Sequence, residues 1–395
     1  MKHCTILAFG LSILSFNAFA GGYQVALQGQ RQIGMGHTGT ALAYDASSIF
    51  FNPGALVFTK TNTVMLGGSL IRSRIGFVAQ QETNAPSNYE TTTNSPLGTP
   101  FTLYASYGVA SMPKLKFGLG VYTPYGSSVS WEDTWKGYSI LQSLKLSSVF
   151  IQPTISFKIL DELSLGAGFV YALGGVDLQK GIGAIANTSG GYASAQLKGS
   201  ANGMGYNVGL HFQGKDGFSL GLSYRSKVDM KVKGGDATFN VPSSVVGLGT
   251  FPANGTTFDA TLPLPAVANF GIGYQANDKW TFAFDVNYTF WSAYKELKFE
   301  YAAPVNGSTS TVSPRQYINV PTVRIGAEYM ATAALAVRAG YYFDKSPVLE
   351  GYMTPETPDA NRNGYTLGLG YKINDKFSAD ASVLFIDGTQ RTQSQ

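Results

Sequence analysis

Trp280-Thr281-Phe282-Ala283-Phe284-Asp285-Val286-Asn287-Tyr288-Thr289-Phe290 puts an aromatic or aliphatic side chain at every even position and Thr, Ala, Asp or Asn at every odd one. Successive side chains of a strand point to opposite faces, so this segment reads as a strand with one apolar face and one mainly polar face. Its length suits a tilted strand crossing a bilayer, with lipid on one side and a lumen on the other. Tyr365, Leu367, Leu369, Tyr371 and Ile373 opposite Thr366, Gly368, Gly370, Lys372 and Asn374 repeat the pattern. So do Leu220, Leu222 and Tyr224 opposite Ser219, Ser223 and Arg225.

Carried along the chain from residue 63, this period predicts thirteen strands. They fall near 63–71, 102–111, 116–123, 147–158, 162–173, 203–213, 217–228, 265–275, 279–290, 321–330, 334–343, 364–373 and 376–386. The connections alternate between short turns, such as Ala276-Asn277-Asp278, and long polar loops, such as 229–264 and 291–320. Short periplasmic turns and long outer loops characterise outer-membrane barrels. A soluble sandwich or propeller, the competing all-β reading, does not require that alternation. Bacterial single-chain barrels have even strand numbers, so thirteen leaves two expectations open. Either a closing strand is missing and the chain is truncated, or a strand in 183–202 or 232–245 escapes the periodicity.

The N-terminus has a short basic start at Lys2 and His3, an apolar run from Ile6 to Phe16, and an Ala18-Phe19-Ala20 ending. That pattern predicts a signal peptide over 1–20 and a mature chain beginning at Gly21. The run is shorter than the roughly 20 apolar residues of a spanning helix. The single cysteine, Cys4, lies inside the leader, so disulfides and thiol chemistry are excluded from the mature protein. Charged residues make up 13% of the chain, against about 25% in soluble domains, while aromatics reach 13%. The formal charge of +4 is carried by no basic tract, which argues against nucleic acid. His37 and His211 are the histidines outside the leader, and there is no Gly-x-Ser-x-Gly elbow or metal-ligand cluster. We therefore expect no enzyme, cofactor or metal.

Between leader and first strand lies a glycine-rich segment containing Gly34-Met35-Gly36-His37-Thr38-Gly39-Thr40-Ala41 and Ser48-Ile49-Phe50-Phe51-Asn52-Pro53-Gly54-Ala55-Leu56. It resembles the N-terminal hatch, or plug, of the FadL family of fatty acid and aromatic-hydrocarbon transporters. Asn52-Pro53-Gly54 stands where that family has Asn-Pro-Ala. Leu262-Pro263-Leu264-Pro265-Ala266, Asp285 to Tyr288 with Trp291-Ser292, and Arg338-Ala339-Gly340-Tyr341 followed by Pro358-Asp359-Ala360-Asn361-Arg362 extend the resemblance along most of the chain.

The resemblance implies an all-β fold: a fourteen-stranded transmembrane antiparallel barrel, about thirteen strands visible here, closed by an N-terminal hatch. Residues 1–20 are then leader, 21–60 hatch and 61–395 barrel. It also implies passive uptake of a hydrophobic small molecule, foremost a long-chain fatty acid, with lateral exit where the third strand is kinked. Gly118, Gly120, Pro124 and Gly126 are the kink candidates, since proline cannot donate to a ladder and glycine tolerates a bend. Asn52-Pro53 is expected to form a defined turn that contacts the wall near strand three.

A fatty acid needs an apolar groove for its tail and a cation for its carboxylate. Trp131, Trp135, Tyr138, Leu141 and Leu144 in the second long loop are candidates for the groove; loop packing is the competing reading for each. Lys180 and Arg225 are candidates for the carboxylate. Other lumen-facing basic residues, Arg324 and Arg338 among them, are expected to pair with Asp285, Glu328 and Asp380. The partners expected are the hydrophobic ligand and outer-membrane lipid and lipopolysaccharide, with the protein a monomer. An aromatic-hydrocarbon transporter of the same family, a general porin and a loop-mediated adhesin remain the alternatives. The glycine-rich plug argues against a porin.

Overall fold

The computed structural model describes residues 22–60, 62–79, 89–132, 135–186, 192–242, 250–252 and 255–392. The expected leader, 1–20, lies outside them. Strand β1 spans Thr63–Gly68, and a small outer hairpin pairs β2 (Gly76–Val78) with β3 (Glu90–Thr92). There follow β4 (Phe101–Gly108), β5 (Leu115–Tyr122), β6 (Gly126–Ser130), β7 (Ser143–Lys158), β8 (Leu163–Ala186) and β9 (Tyr192–Gln213). Next come β10 (Phe218–Arg225), β11 (Val228–Asn240), β12 (Thr256–Leu264), β13 (Val267–Gln275) and β14 (Trp280–Thr289). The last six are β15 (Glu296–Val305), β16 (Ser308–Pro314), β17 (Val320–Met330), β18 (Leu335–Asp344), β19 (Arg362–Lys372) and β20 (Ser378–Gly388).

One antiparallel wall accounts for all of them but β2 and β3. It pairs in the order β1, β4, β5, β7, β8, β9, β10, β13, β14, β17, β18, β19, β20. That order contains the thirteen crossings the periodicity predicts. The strands in 192–202 and 228–240, which the sequence leaves as loop, prolong existing crossings: they belong to β9 and β11 and add no crossing. In the same way β6 continues β5, β15 continues β14, and β16 leads into β17, raising the wall beyond the membrane-spanning lengths at the loop end. Because every step is antiparallel, β1 and β20 run in the same direction. Gln30 spans the two: its amide donates to the Gly68 carbonyl at 2.9 Å and its carbonyl accepts from the Ser382 hydroxyl at 2.5 Å.

The alternation holds in detail. In β14, Trp280, Phe282 and Tyr288 lie outward and exposed, while Ala283, Asp285 and Thr289 are buried inside. The exposed apolar belt continues through Leu222, Phe270, Leu367 and Leu369. In water such a belt would be prohibitive; in lipid it is the required surface.

Residues 22–60 fill the lumen. Their regular pieces are α1 (Gln30–Gly34), α2 (Ser48–Phe51) and a 3-10 turn over Pro53–Phe58. Ionic and polar anchors fix them to the wall. The Asp285 carboxylate accepts from Gly39 N–H at 2.9 Å, Thr40 N–H at 3.0 Å and the Thr40 hydroxyl at 2.8 Å. Arg31 grips Glu328, which also binds Arg338, and Arg338 reaches Asp380. The expected pairing of Arg338 with lumen acids is thus present, with a hatch arginine added to it. Elsewhere backbone meets backbone: a Cβ on Gly340 would sit 2.1 Å from the amide nitrogen of Gly36, itself at φ +68°. Only glycine permits that approach.

Candidate functional site

At the loop end of the lumen, the prolonged strands enclose a cavity of about 770 Å³ of atom-free space, its open mouth included. Leu144 and Leu146 from β7, Val176 and Leu178 from β8, and Leu262 and Leu264 from β12 line it. These are inward-facing positions on strands that rise above the membrane, so the apolar lining follows from the same period that sets the wall. Tyr23 at the start of the hatch and Tyr125 complete one side. Tyr23 donates to the Pro263 carbonyl at 2.6 Å and packs edge-on against Trp291 and Tyr294 at 4.9 and 5.6 Å.

Among the described residues, one cation faces this cavity, Arg315, with 1% of its side chain exposed. Its Nη1 donates to the Thr354 hydroxyl at 2.7 Å and its Nη2 pairs with the Glu356 carboxylate. Its Nε has no hydrogen-bond partner among the described residues. Sequence reasoning passed over Arg315 because it follows β16 in a stretch read as loop, where parity gives no inside or outside. The loop carrying Thr354 and Glu356 also buries Asp359, whose Oδ2 accepts from the Ser346 hydroxyl at 2.8 Å. Burial, reinforced by Asp344 and opposed by Arg362, the Ser346 hydroxyl and the Gly22 N–H, pushes the Asp359 carboxyl up to about 7.

Of the expected groove residues, Leu144 lines the cavity. Trp131 and Trp135 instead stack on each other at 4.6 Å, with Phe77 edge-on at 6.5 and 6.1 Å. The indole N–H of Trp135 is tied to the Leu141 carbonyl at 2.6 Å, and the Tyr138 carbonyl accepts from Gly181 N–H at 2.7 Å. These four residues pack the second outer loop rather than line the cavity, the competing reading named for them. Lys180 lies half-buried on the upper part of β8, away from the lining. Arg225 is buried, but it faces a separate polar cavity below Tyr125.

The third crossing is interrupted between β5 and β6, at residues 123–125. Pro124 sits in that break and Gly126 begins β6. Gly118 and Gly120 do not kink: each pairs regularly with β4 and β7. Their lack of a side chain makes room for the hatch, since a Cβ on Gly118 would lie 2.7 Å from Ile49 and 2.8 Å from Leu56. At the break the hatch supplies hydrogen bonds: Val25 N–H donates to the Pro124 carbonyl at 2.8 Å, and Gly126 N–H to the Tyr23 carbonyl at 2.9 Å. These bonds satisfy backbone groups at a site where β6 pairs with β7 alone among the described strands.

The Asn52-Pro53-Gly54 turn is fully buried. The Asn52 amide donates to the Thr40 carbonyl at 2.9 Å and the Leu210 carbonyl at 3.0 Å, and its carbonyl accepts from Gly54 N–H at 3.0 Å. The turn packs on the fifth and sixth crossings, where Gly166 and Gly209 leave it space. It does not touch the third crossing as expected from the sequence; Ile49 and Leu56 on either side of it do. The absent methyl at Gly54 has a local reason, because a Cβ there would stand 2.7 Å from the Gly209 carbonyl oxygen.

Comparison with known proteins places these features in a wider group. Residues 11–395 match the family described as outer membrane protein transport protein (OMPP1/FadL/TodX). The chain is 25% identical to a 47 kDa outer membrane protein of Pasteurella multocida, over 98% of this chain and 92% of that one. It is 23% identical to the long-chain fatty acid transport protein of Escherichia coli K12, over 97% and 91%. Among solved structures, a Pseudomonas aeruginosa FadL homologue superposes with a TM-score of 0.78 at 22% identity, covering 93% of this chain and 91% of that one. The Ralstonia pickettii toluene transporter TbuX gives 0.64 at 17% identity, covering 90% and 92%.

Proposed function

Because this chain belongs to the OMPP1/FadL/TodX family of outer membrane proteins that transport hydrophobic molecules, we propose that its own substrate is a long-chain fatty acid. The observation that carries the choice is the pairing, in one cavity, of an extended apolar lining with the buried guanidinium of Arg315, whose Nε is unpartnered among the described residues. An alkyl tail placed there leaves water at about 25 cal/mol per Å² of apolar surface. A carboxylate meets a donor suited to a charge-assisted hydrogen bond. A purely aromatic hydrocarbon would use the lining and leave the Arg315 Nε without a partner among the described residues.

In this reading residues 21–60, freed of the leader 1–20, are the hatch. Tyr23 closes the inner side of the cavity, and ligand leaves sideways through the break at 123–125 once residues 23–25 release Pro124 and Gly126. Transport is passive. The test is binding of oleate and of oleyl alcohol to the purified protein by displacement of a fluorescent fatty acid. Arg315→Ala should weaken oleate roughly tenfold or more, as loss of a charged hydrogen bond does, and leave the alcohol within about twofold. Equal loss for both ligands would assign Arg315 to loop packing and remove the argument for a carboxylate.

A further inference from the structure

The carboxylate position at Arg315 is already half taken. Nε and Nη2 form one edge of a guanidinium, an edge that grips a carboxylate with two parallel hydrogen bonds. Arg31 uses that edge in full: its Nε meets Oε2 of Glu328 at 2.9 Å and its Nη2 meets Oε1 at 2.5 Å. In Arg315, Nη2 pairs with one oxygen of Glu356, while Nε has no hydrogen-bond partner among the described residues. Nη1, on the far side, donates to the Thr354 hydroxyl. Glu356 is thus a carboxylate of the chain's own, seated by one oxygen where a ligand's carboxylate would take two donors.

Glu356 belongs to a strap, residues 345–361, that joins β18 to β19, and with Thr357 it forms part of the cavity lining. The ends of the strap are fastened to each other and to the chain beyond β20. The Ser346 hydroxyl donates to Asp359 at 2.8 Å, the Ser346 N–H to the Asn361 side chain at 2.9 Å, and Arg391 to the Val348 carbonyl at 2.7 Å. The tip is held to the cavity wall by Arg315 and by neutral bonds: the Trp131 indole N–H to the Pro355 carbonyl at 3.3 Å, and the Thr357 and Tyr317 hydroxyls to each other at 3.0 Å. Exposure decides which member of the ion pair can move. The Arg315 side chain is 1% exposed and that of Glu356 14%, so the acid has a path to water and the guanidinium has none. Gly351, exposed and at φ +82°, stands at the near end of the tip in a conformation natural to glycine and suited to a pivot.

We infer that Glu356 is an internal competitor for the ligand's carboxylate: an arriving acid takes the Nε and Nη2 edge of Arg315, Glu356 turns out to water, and the strap tip 353–357 opens. The assignment rests on the fatty acid reading of this cavity and names what regulates that site. One carboxylate replaces another, so the buried guanidinium is never left without a counter-charge, a costly state. Two consequences follow. Affinity for an acid is set by the difference between a two-bond and a one-bond carboxylate rather than by the full attraction of Arg315, and the returning Glu356 helps to release the acid. A neutral ligand with the same tail, such as an alcohol, does not displace Glu356 and binds beneath a closed strap.

Two measurements test it. In the first, displacement of a fluorescent fatty acid compares oleate with oleyl alcohol on purified wild type and Glu356→Gln, with folding checked by heat-modifiable migration. Glutamine keeps the shape and removes the charge, so the ratio of oleate to alcohol affinity should rise roughly tenfold, as expected for one charged hydrogen bond. The double variant, Arg315→Ala with Glu356→Gln, should show no rise. If Glu356 instead positions Arg315 for the ligand, Glu356→Gln will lower the ratio or leave it unchanged, and the competitor is refuted. The second measurement needs no substitution: hydrogen exchange by mass spectrometry on the wild-type protein. Saturating oleate should deprotect peptides over 351–358, and saturating oleyl alcohol should not; oleate that protects them or leaves them as they were would overturn the opening of the strap. An acid-selective loss in Arg315→Ala without the gain in Glu356→Gln leaves the fatty acid reading standing and removes the competitor, whereas equal loss of both ligands in Arg315→Ala removes both.

Discussion

Replacing Asp285 with alanine should release the middle of the hatch while leaving the barrel wall folded. One carboxylate oxygen there receives Gly39 N–H, Thr40 N–H and the Thr40 hydroxyl at 2.8–3.0 Å. Hydrogen bonds to a charged acceptor contribute about 1.5–3 kcal/mol each. Three bonds to one atom are not additive, so about 3–5 kcal/mol is a reasonable total for local opening of this segment. At 1.4 kcal/mol per decade, amide exchange at Gly39 and Thr40 should accelerate by roughly two to three and a half orders of magnitude, up to the limit set by other hatch contacts. Of those contacts, Arg31–Glu328–Arg338 holds α1, while the Asn52 amide on the Thr40 carbonyl and the Ser219 hydroxyl on the Ala41 carbonyl also hold this segment and set that limit. Hydrogen exchange followed by mass spectrometry, peptide by peptide in detergent, reads this directly. Peptides over 36–44 should lose protection and those over β14 should keep it. Unchanged exchange in 36–44, with a folded variant, would refute the claim that Asp285 is the anchor of this part of the hatch.

Other expectations follow from single contacts. Gly54→Ala should lower the urea midpoint of heat-modifiable folding by the equivalent of about 1–3 kcal/mol, since the new Cβ would lie 2.7 Å from a wall carbonyl; a neutral effect would mean that the hatch shifts freely on β9. Arg338→Ala should cost about 3–5 kcal/mol by leaving Glu328 and Asp380 short of a buried partner, again read from the unfolding midpoint. Asp359 has a carboxyl pushed up to about 7, so its neutral form is the one the folded loop favours. The stability it lends is full below about pH 4 and is lost as pH rises through 7. After correction for intrinsic exchange, peptides over 346–361 should be better protected at pH 5.5 than at pH 8, and Asp359→Asn should erase most of the difference. Wild-type protection independent of pH would contradict it.

How far the sequence led can be judged residue by residue. The parity of Trp280 to Phe290 fixed which side chains meet lipid, and by the same rule it put Asp285, Arg225, Glu328 and Arg338 inside. What parity cannot carry is the wall above the membrane, where Gly174-Gly175 and similar stretches look like loop. There the strands persist because their neighbours continue beside them, as in the pairing of Gly175 with Ser147 and Ser200. Arg315 was hidden for that reason. Asn52-Pro53 announces a turn, but its partner depends on how the hatch is seated in the lumen, a long-range fact, and the turn lands on Gly166 and Gly209. Glycines at 118 and 120 read as flexibility from sequence alone; in the fold they are clearance for Ile49 and Leu56.

The most direct test of the central claim is uptake of radiolabelled oleate, with toluene in parallel, by a host lacking its own transporter of this class and expressing this chain at the cell surface. The account predicts saturable oleate accumulation that Arg315→Ala reduces, with little saturable toluene uptake. Toluene accumulation without oleate uptake in correctly folded protein would contradict it and move the chain to the hydrocarbon branch of its family.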